Sequence, residues 1–128
     1  IRSYASVAVP LPILAAGEAL WSDEAHVAIN RRHYEDLFNI AGDILGHIDG
    51  FSNPVGGFYL WLDVGDGEEM ALKLWRKTGV KCMPGGFMAQ KDPFTGINPV
   101  SQYLRICLVH DKATVREALQ RISTVLED

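Results

Sequence analysis

The chain has 128 residues, of which 48% are hydrophobic and 22% charged, and its formal net charge is −4. This length suits one domain with one core. The basic residues are scattered, so nucleic acid is not an expected partner, because such binding needs a basic stripe. No apolar run reaches the roughly 18 residues of a membrane span, and no secretory signal is evident, so no membrane partner is expected either.

The cysteines and histidines indicate neither a disulfide nor a metal site. Cys82 and Cys107 lie in separate strand-like segments without a CxxC spacing, which predicts buried, reduced thiols and a cytoplasmic protein. The four histidines lack metal-ligand spacing, and no Gly-rich turn matches a phosphate loop or a dinucleotide fingerprint. The chain begins with Ile1, and its first methionine is Met70, inside a predicted helix. We therefore expect a piece of a longer protein.

Two helices are predicted in the first part of the chain. An extended, Pro-containing arm (residues 1–12) leads into the helix ILAAGEALW, which is apolar all round and should be covered by something. A helix of about 24 residues follows, with Ser22 as its N-cap and Gly46 as its end. Its length exceeds what a small core needs, so it should link to another part of the protein. Its apolar stripe comprises Val27, Tyr34, Leu37, Phe38, Ala41, Ile44, Leu45 and Ile48.

The remainder predicts strands alternating with helices. FYLWLDV (58–64) places Phe58, Leu60, Leu62 and Val64 on one face. A short helix (68–79) and a short strand, VKCMP (80–84), come next. Residues 86–101 read as a loop. Met83 and Met88, beside PGGF, could line a pocket, although packing within the loop is the favoured role. The strand QYLRICLVH (102–110) precedes a last helix (112–127), for which Thr114 and Glu117 could form a capping box.

This order predicts a two-layer α/β sandwich, with a sheet of about three strands, helices on one face and a long linking helix before it. The other face of the sheet is not polar, as a solvated face would be. Exposed patches of this kind are typical of interfaces, so a partner domain is expected to cover it. The residues of that face are Tyr59, Trp61, Tyr103, Arg105, Cys107 and Val109.

Arg105 is the candidate site residue, because arginine is almost never buried in a strand without an anion. A guanidinium on a rigid strand can bind a carboxylate through two parallel hydrogen bonds. The residues alone leave two partners open. One is a ligand carboxylate from outside the chain, and the other is Asp63 on the neighbouring predicted strand.

Four stretches, taken in order, resemble the C-terminal small domain of fold type I, pyridoxal-phosphate-dependent aminotransferases of class I/II. They are PVGGFYLWLDV, GEEMALKLWRKTGVKCMPGGF, YLRICLVHD and VREALQRI. The resemblance runs from about Val9 to Leu126. It implies that Arg105 binds the α-carboxylate of an amino-acid or 2-oxo-acid substrate. It also implies a homodimer of the full-length protein.

The resemblance further implies that much of the enzyme lies outside this chain. The family's catalytic lysine belongs to a Ser-x-Ser-Lys motif in the large domain, and none of the five lysines here lies in one. Pyridoxal phosphate would be bound by that large domain. We therefore expect no catalytic and no cofactor-binding residue in this chain, which alone should be inactive. Residues 1–21 would end the large-domain or interface arm, and residues 22–128 would form the small domain.

The segment ALWSDEAHVAINRRHYEDLFNIA is most similar to the succinyldiaminopimelate transaminase branch, which belongs to lysine and diaminopimelate synthesis. Ile13 departs from the family, which often has glutamine there. Two alternatives stay open at this point. One is an aminotransferase of another specificity, for aspartate, alanine or aromatic amino acids. The other is a stand-alone carboxylate-binding or regulatory module without catalysis.

Overall fold

The structure, a computed structural model, describes residues 9–128, so most of the predicted extended arm lies outside the described residues. Two compact units divide the chain: one ends at His33, and the other is Tyr34–Asp128. The helices are α1 (Leu11–Ser22), α2 (Ala25–Leu45), α3 (Gly67–Thr78) and α4 (Lys112–Leu126), with a 3₁₀ turn at Gly85–Met88. The strands are β1 (Tyr59–Asp63), β2 (Met83–Pro84) and β3 (Tyr103–Cys107).

In the first unit, α1 has no buried residue within the described part of the chain. Ser22 ends this helix, so the prediction that it caps the next one is wrong. Its hydroxyl donates instead to the Glu18 carbonyl at 2.8 Å. The carboxylate of Asp23 accepts from the Ala25 backbone N–H at 2.9 Å and so performs the capping role at the start of α2.

The second unit contains a three-stranded antiparallel sheet with β3 in the centre. Leu60 and Leu62 of β1, with Leu104 and Ile106 of β3, point to the inner face and are buried. There they join buried residues of α2, α3 and α4 in one core. The predicted two-layer α/β sandwich is therefore confirmed. The helical members of this core include Leu37, Ala41, Leu45, Leu74, Val115, Leu119, Ile122 and Val125.

Phe58 corrects the prediction for this face. It precedes the first residue of β1 and is 38% exposed, so it is not a core residue. Its backbone carbonyl accepts from the Leu108 N–H at 2.9 Å, and its ring lies beside those of Tyr34 and Tyr59. Alternation fails here because the regular strand begins one residue later.

Aspartates stand at the start of two helices of the sheet unit. Asp66 accepts from the backbone N–H groups of Glu68 and Glu69, both at 3.0 Å. Asp111 does the same for Ala113 and Thr114, also at 3.0 Å. The predicted capping box at Thr114 is therefore wrong: Thr114 lies within α4, and its hydroxyl donates to Asp111. At the other end of α3, Gly79 has a φ of 74°, the left-handed conformation that a helix C-terminus often needs.

β2 is shorter than the predicted strand at residues 80–84 and pairs through two residues only. Proline at its second position has no N–H to donate, which suits an edge strand. The following loop is held by Asn98, whose side-chain amide donates to the carbonyls of Gly86 (2.8 Å) and Ala89 (2.9 Å). This loop runs beside the edge of the sheet and leads into β3.

Candidate carboxylate-binding site

Arg105 lies in the middle of the central strand and points to the outer face, as its position in the alternation predicts. Directly across from it are Trp61 on β1 and Met83 on β2. Its side chain is half-buried, and the Nε atom is buried without a hydrogen-bond partner. A buried guanidinium nitrogen without an acceptor is costly, because it has lost its hydrogen bonds to water and gained none in their place.

Asp63 is not that acceptor. Within residues 9–128 Arg105 makes no ion pair, and the Oδ1 atom of Asp63 accepts instead from the Gly65 backbone N–H at 3.1 Å. The register places Asp63 opposite Tyr103, one diagonal step from Arg105. The internal ion pair that the sequence left open is thus not formed in the described part of the chain.

The guanidinium lies over an aromatic ring instead. Its central carbon is 4.4 Å from the ring centre of Tyr59, at the other diagonal position on β1. This is a cation–π contact. The ring attracts the positive charge but does not accept hydrogen bonds from the N–H groups in the plane of the guanidinium. The positive charge of Arg105 therefore stays available to an anion.

Beside Arg105 the second unit has a largely apolar cleft of about 540 Å³ between α3 and the β2 edge of the sheet. Trp75 of α3 forms part of one wall, with Lys81 lying over its ring at 4.6 Å. Met83 lines the cleft, as the sequence suggested it could, and Met88 is not among its lining residues. The other lining residues are Glu68, Ala71, Leu72, Cys82, Pro84, Phe87, Arg105 and Cys107.

Both cysteines of the cleft are free thiols, as predicted, but their burial differs from the prediction. Cys82 is half-buried, and Cys107, on the outer face of β3, is exposed. Burial, and to a lesser degree the neighbouring Cys107, raises the pKa of Cys82 to about 11. Cys82 is therefore protonated at neutral pH, and a thiol in that state is a poor nucleophile. The cleft gains no nucleophile from it.

Three of the five lysines are already engaged within the described part of the chain. Lys73 donates to the Val125 carbonyl at 3.2 Å, and Lys77 and Lys112 pair with Asp128 and Asp36. No group of three or more His, Cys, Asp or Glu side chains that could hold a metal ion occurs among residues 9–128. No helix in the same range is both long and apolar enough to cross a membrane.

Sequence reasoning identified Arg105 and its face but missed the partner that holds it. The sequence puts Tyr59 on the same face of the sheet as Arg105. Its spacing of two residues from Trp61, which lies opposite Arg105, is the signal that could have identified it. Even the correct register of β1 and β3 leaves Tyr59 and Asp63 as equally possible partners of Arg105, because both lie diagonal to it. The cleft walls from α3, Trp75 above all, had no such signal, because their position depends on how α3 packs beside β2.

No protein-family model and no curated protein sequence matches this chain. Solved structures do match it. An aminotransferase from Neisseria meningitidis is 36% identical, with a TM-score of 0.90 over 98% of this chain and 32% of its own. Aminotransferase AspB from Helicobacter pylori is 27% identical, with a TM-score of 0.78 over 99% of this chain and 32% of its own.

An aspartate aminotransferase from Thermotoga maritima matches in fold, at 22% identity and a TM-score of 0.72, over 99% of this chain and 31% of its own. The chain thus spans about a third of the length of each of these structures. Over almost its whole length it is similar in fold to one part of aminotransferases.

Proposed function

We propose that the intact protein is a pyridoxal-phosphate-dependent aminotransferase, and that Arg105 binds the α-carboxylate of its substrates. The observation that carries this proposal is the state of Arg105: half-buried on the central strand, with no anionic partner in the described residues and a buried, unpartnered Nε. The likeness to aminotransferases supports it independently. The amino group would pass from an amino acid to a 2-oxo acid.

In this proposal the chain binds and orients, and residues outside it carry the chemistry. Pyridoxal phosphate, held by a large domain, would supply the electron sink. Arg105 would fix the carboxylate by two parallel N–H···O hydrogen bonds, and so set the direction of the Cα–H bond from which a proton leaves. A lysine outside this chain would move that proton.

The proposal assigns residues 1–21 to the end of the large-domain arm and residues 22–128 to the C-terminal small domain. The uncovered outer face of the sheet supports a missing large domain, because a solvated face would be polar. A cytoplasmic homodimer is proposed for the intact protein. The rival is a carboxylate-binding module without catalysis. The coding sequence upstream of Ile1 distinguishes the two, since the aminotransferase requires a large domain with a Ser-x-Ser-Lys motif.

We further propose a succinyldiaminopimelate transaminase specificity, which rests on the likeness of residues 19–41 to that branch. Profiling amino donors with the full-length enzyme tests it. N-succinyl-diaminopimelate and glutamate should be the preferred amino donors. Much faster turnover of aspartate, alanine or an aromatic amino acid would reassign the specificity and leave the reaction class unchanged.

The test of Arg105 is Arg105→Lys in the full-length enzyme, which keeps the charge and loses the two-pronged geometry. We expect kcat/KM for amino acids to fall. The fall should correspond to a loss of about 2–5 kcal/mol in transition-state stabilisation, the usual loss for a broken desolvated charge pair. Amines without an α-carboxylate should be affected far less. The melting temperature should change little, because no carboxylate among residues 9–128 pairs with Arg105 and could lose it.

The matched control is Arg116→Lys, at an exposed arginine of α4 away from the cleft. It should leave both substrate classes unchanged. A large fall in melting temperature for Arg105→Lys, with equal loss for amines and amino acids, would instead indicate a structural arginine and remove it from the site.

A further inference from the structure

Tyr59 is placed by the sheet register to meet the side chain of Arg105. In the antiparallel β1–β3 pair, Trp61 lies opposite Arg105, and Tyr59 and Asp63 take the two diagonal positions of the same face. Diagonal neighbours in such a pair are within reach of long side chains. Arg105 contacts Tyr59, with 4.4 Å from its guanidinium carbon to the ring centre.

The ring of Tyr59 is itself held by a stack of aromatic residues. Its centre is 4.1 Å from that of Phe58, with the planes 39° apart. Phe58 in turn lies 5.9 Å from Tyr34 of α2, at 37°. Three rings therefore connect α2 to the guanidinium, so the ring on which Arg105 lies is packed on another aromatic ring.

An aromatic face orients a guanidinium in a way that a carboxylate cannot. A carboxylate at Asp63 would neutralise the charge and take up the donors in the guanidinium plane. The face of Tyr59 attracts the cation and fixes its plane, while the N–H donors at the edge stay free for an incoming anion. Asp63 meanwhile accepts from the Gly65 backbone N–H.

We infer that Tyr59 is a positioning residue for the substrate carboxylate, acting through its ring on Arg105. This inference rests on the proposed function, because it concerns the same arginine and the same carboxylate. It assigns the role to the ring face and none to the phenolic hydroxyl.

The experiment uses the full-length enzyme with Tyr59→Leu and Tyr59→Phe, the amino acid it uses best, and the amine that corresponds to that amino acid without its carboxylate. Tyr59→Leu should raise KM for the amino acid about 3- to 30-fold, the range of a cation–π contact expressed as affinity. Its kcat should change less than KM, and kcat/KM for the amine should stay the same. Tyr59→Phe keeps the ring and should stay within about 2-fold of wild type for both substrates.

The pair is then measured together in Tyr59→Leu/Arg105→Gln. Without the cation at position 105, loss of the ring should have little further effect on the KM for the amino acid. Because KM does not depend on how much enzyme is folded, partial unfolding of a variant cannot imitate the expected pattern.

Two results with Tyr59→Leu overturn the inference and leave the proposed function standing. One is an unchanged KM for the amino acid in Tyr59→Leu. The other is an equal fall of kcat/KM for the amine and the amino acid in that variant. In both cases Arg105→Gln must show a raised KM for the amino acid. A Tyr59→Phe variant as impaired as Tyr59→Leu would move the role to the hydroxyl and also overturn it. If Arg105→Gln itself keeps a normal KM for amino acids, the assignment of Arg105 fails, and the role of Tyr59 fails with it.

Discussion

At the residue scale, the start of α4 depends on one carboxylate. Asp111 accepts from the backbone N–H groups of Thr114 and Ala113, and from the Thr114 hydroxyl. These hydrogen bonds lower the pKa of Asp111 below its ordinary value of 3.8, and the one from the Thr114 backbone N–H has the largest effect. A carboxylate with a lowered pKa stabilises the fold fully above its unfolded value, and this contribution is lost as the pH falls through the lowered pKa.

Asp111→Asn tests this directly. The asparagine side-chain oxygen can still cap the helix, but it does not titrate. The difference in melting temperature between wild type and variant should therefore be constant at neutral pH and shrink as the pH falls below about 3.8. Thermal unfolding of the chain as a function of pH measures it. A difference of the same size at every pH would contradict a role for the charge.

The same capping residues show what could be predicted from the sequence. The sequence predicts a cap at both helix starts, but it favours Ser22 and Thr114 over Asp23 and Asp111, which cap the helices in the structure. Several good cap residues stand within a few positions in each case, and the choice depends on where the first backbone hydrogen bond of the helix forms. Arg105 presents the same difficulty: its face followed from alternation, whereas Tyr59 and Asp63 become distinguishable only in three dimensions.

At the element scale, the sheet and the helices of the second unit were predictable because their apolar periodicity is long and regular. The extent of β2 was less predictable: its end at Pro84 agrees with the predicted strand, but residues 80–82 are not part of it. The close approach of α3 to the strand was also hidden. Gly67, the first residue of α3, donates to the Ser101 carbonyl at 2.9 Å, and its missing Cβ leaves room for the Tyr103 carbonyl.

Gly67→Ala should therefore destabilise the fold. A Cβ at this position would lie 2.2 Å from the Tyr103 carbonyl oxygen and 2.9 Å from that of Ser101, so α3 must shift away from β3. We expect a loss of about 1–3 kcal/mol in the free energy of unfolding, as for other overpacked sites. Urea denaturation of the chain measures it.

The matched control is Gly56→Ala, in the turn before β1. A Cβ there meets nothing within 4 Å, and its φ is not positive. Its effect should stay within about 0.5 kcal/mol. Equal stability of the two variants would contradict the tight contact between α3 and the start of β3.

At the scale of the whole molecule, the apolar surfaces that the chain leaves uncovered set its behaviour in solution. On the outer sheet face Trp61 and Met83 are 38% and 41% exposed on either side of Arg105. In the other unit every residue of α1 remains outside the core. The sequence predicted both surfaces, because apolar residues stood where a solvated face or helix would be polar.

The isolated chain should consequently self-associate through the outer face of the sheet, because large exposed apolar patches tend to bind one another. Sedimentation over a range of concentrations measures this. Trp61→Ser should raise the concentration needed for association, since it removes the largest side chain of that face. Phe94→Ser, at a loop residue that is 94% exposed and distant in sequence from the strands, is the control and should change association less. A monomer at the highest concentrations would contradict the argument that this face awaits a partner domain.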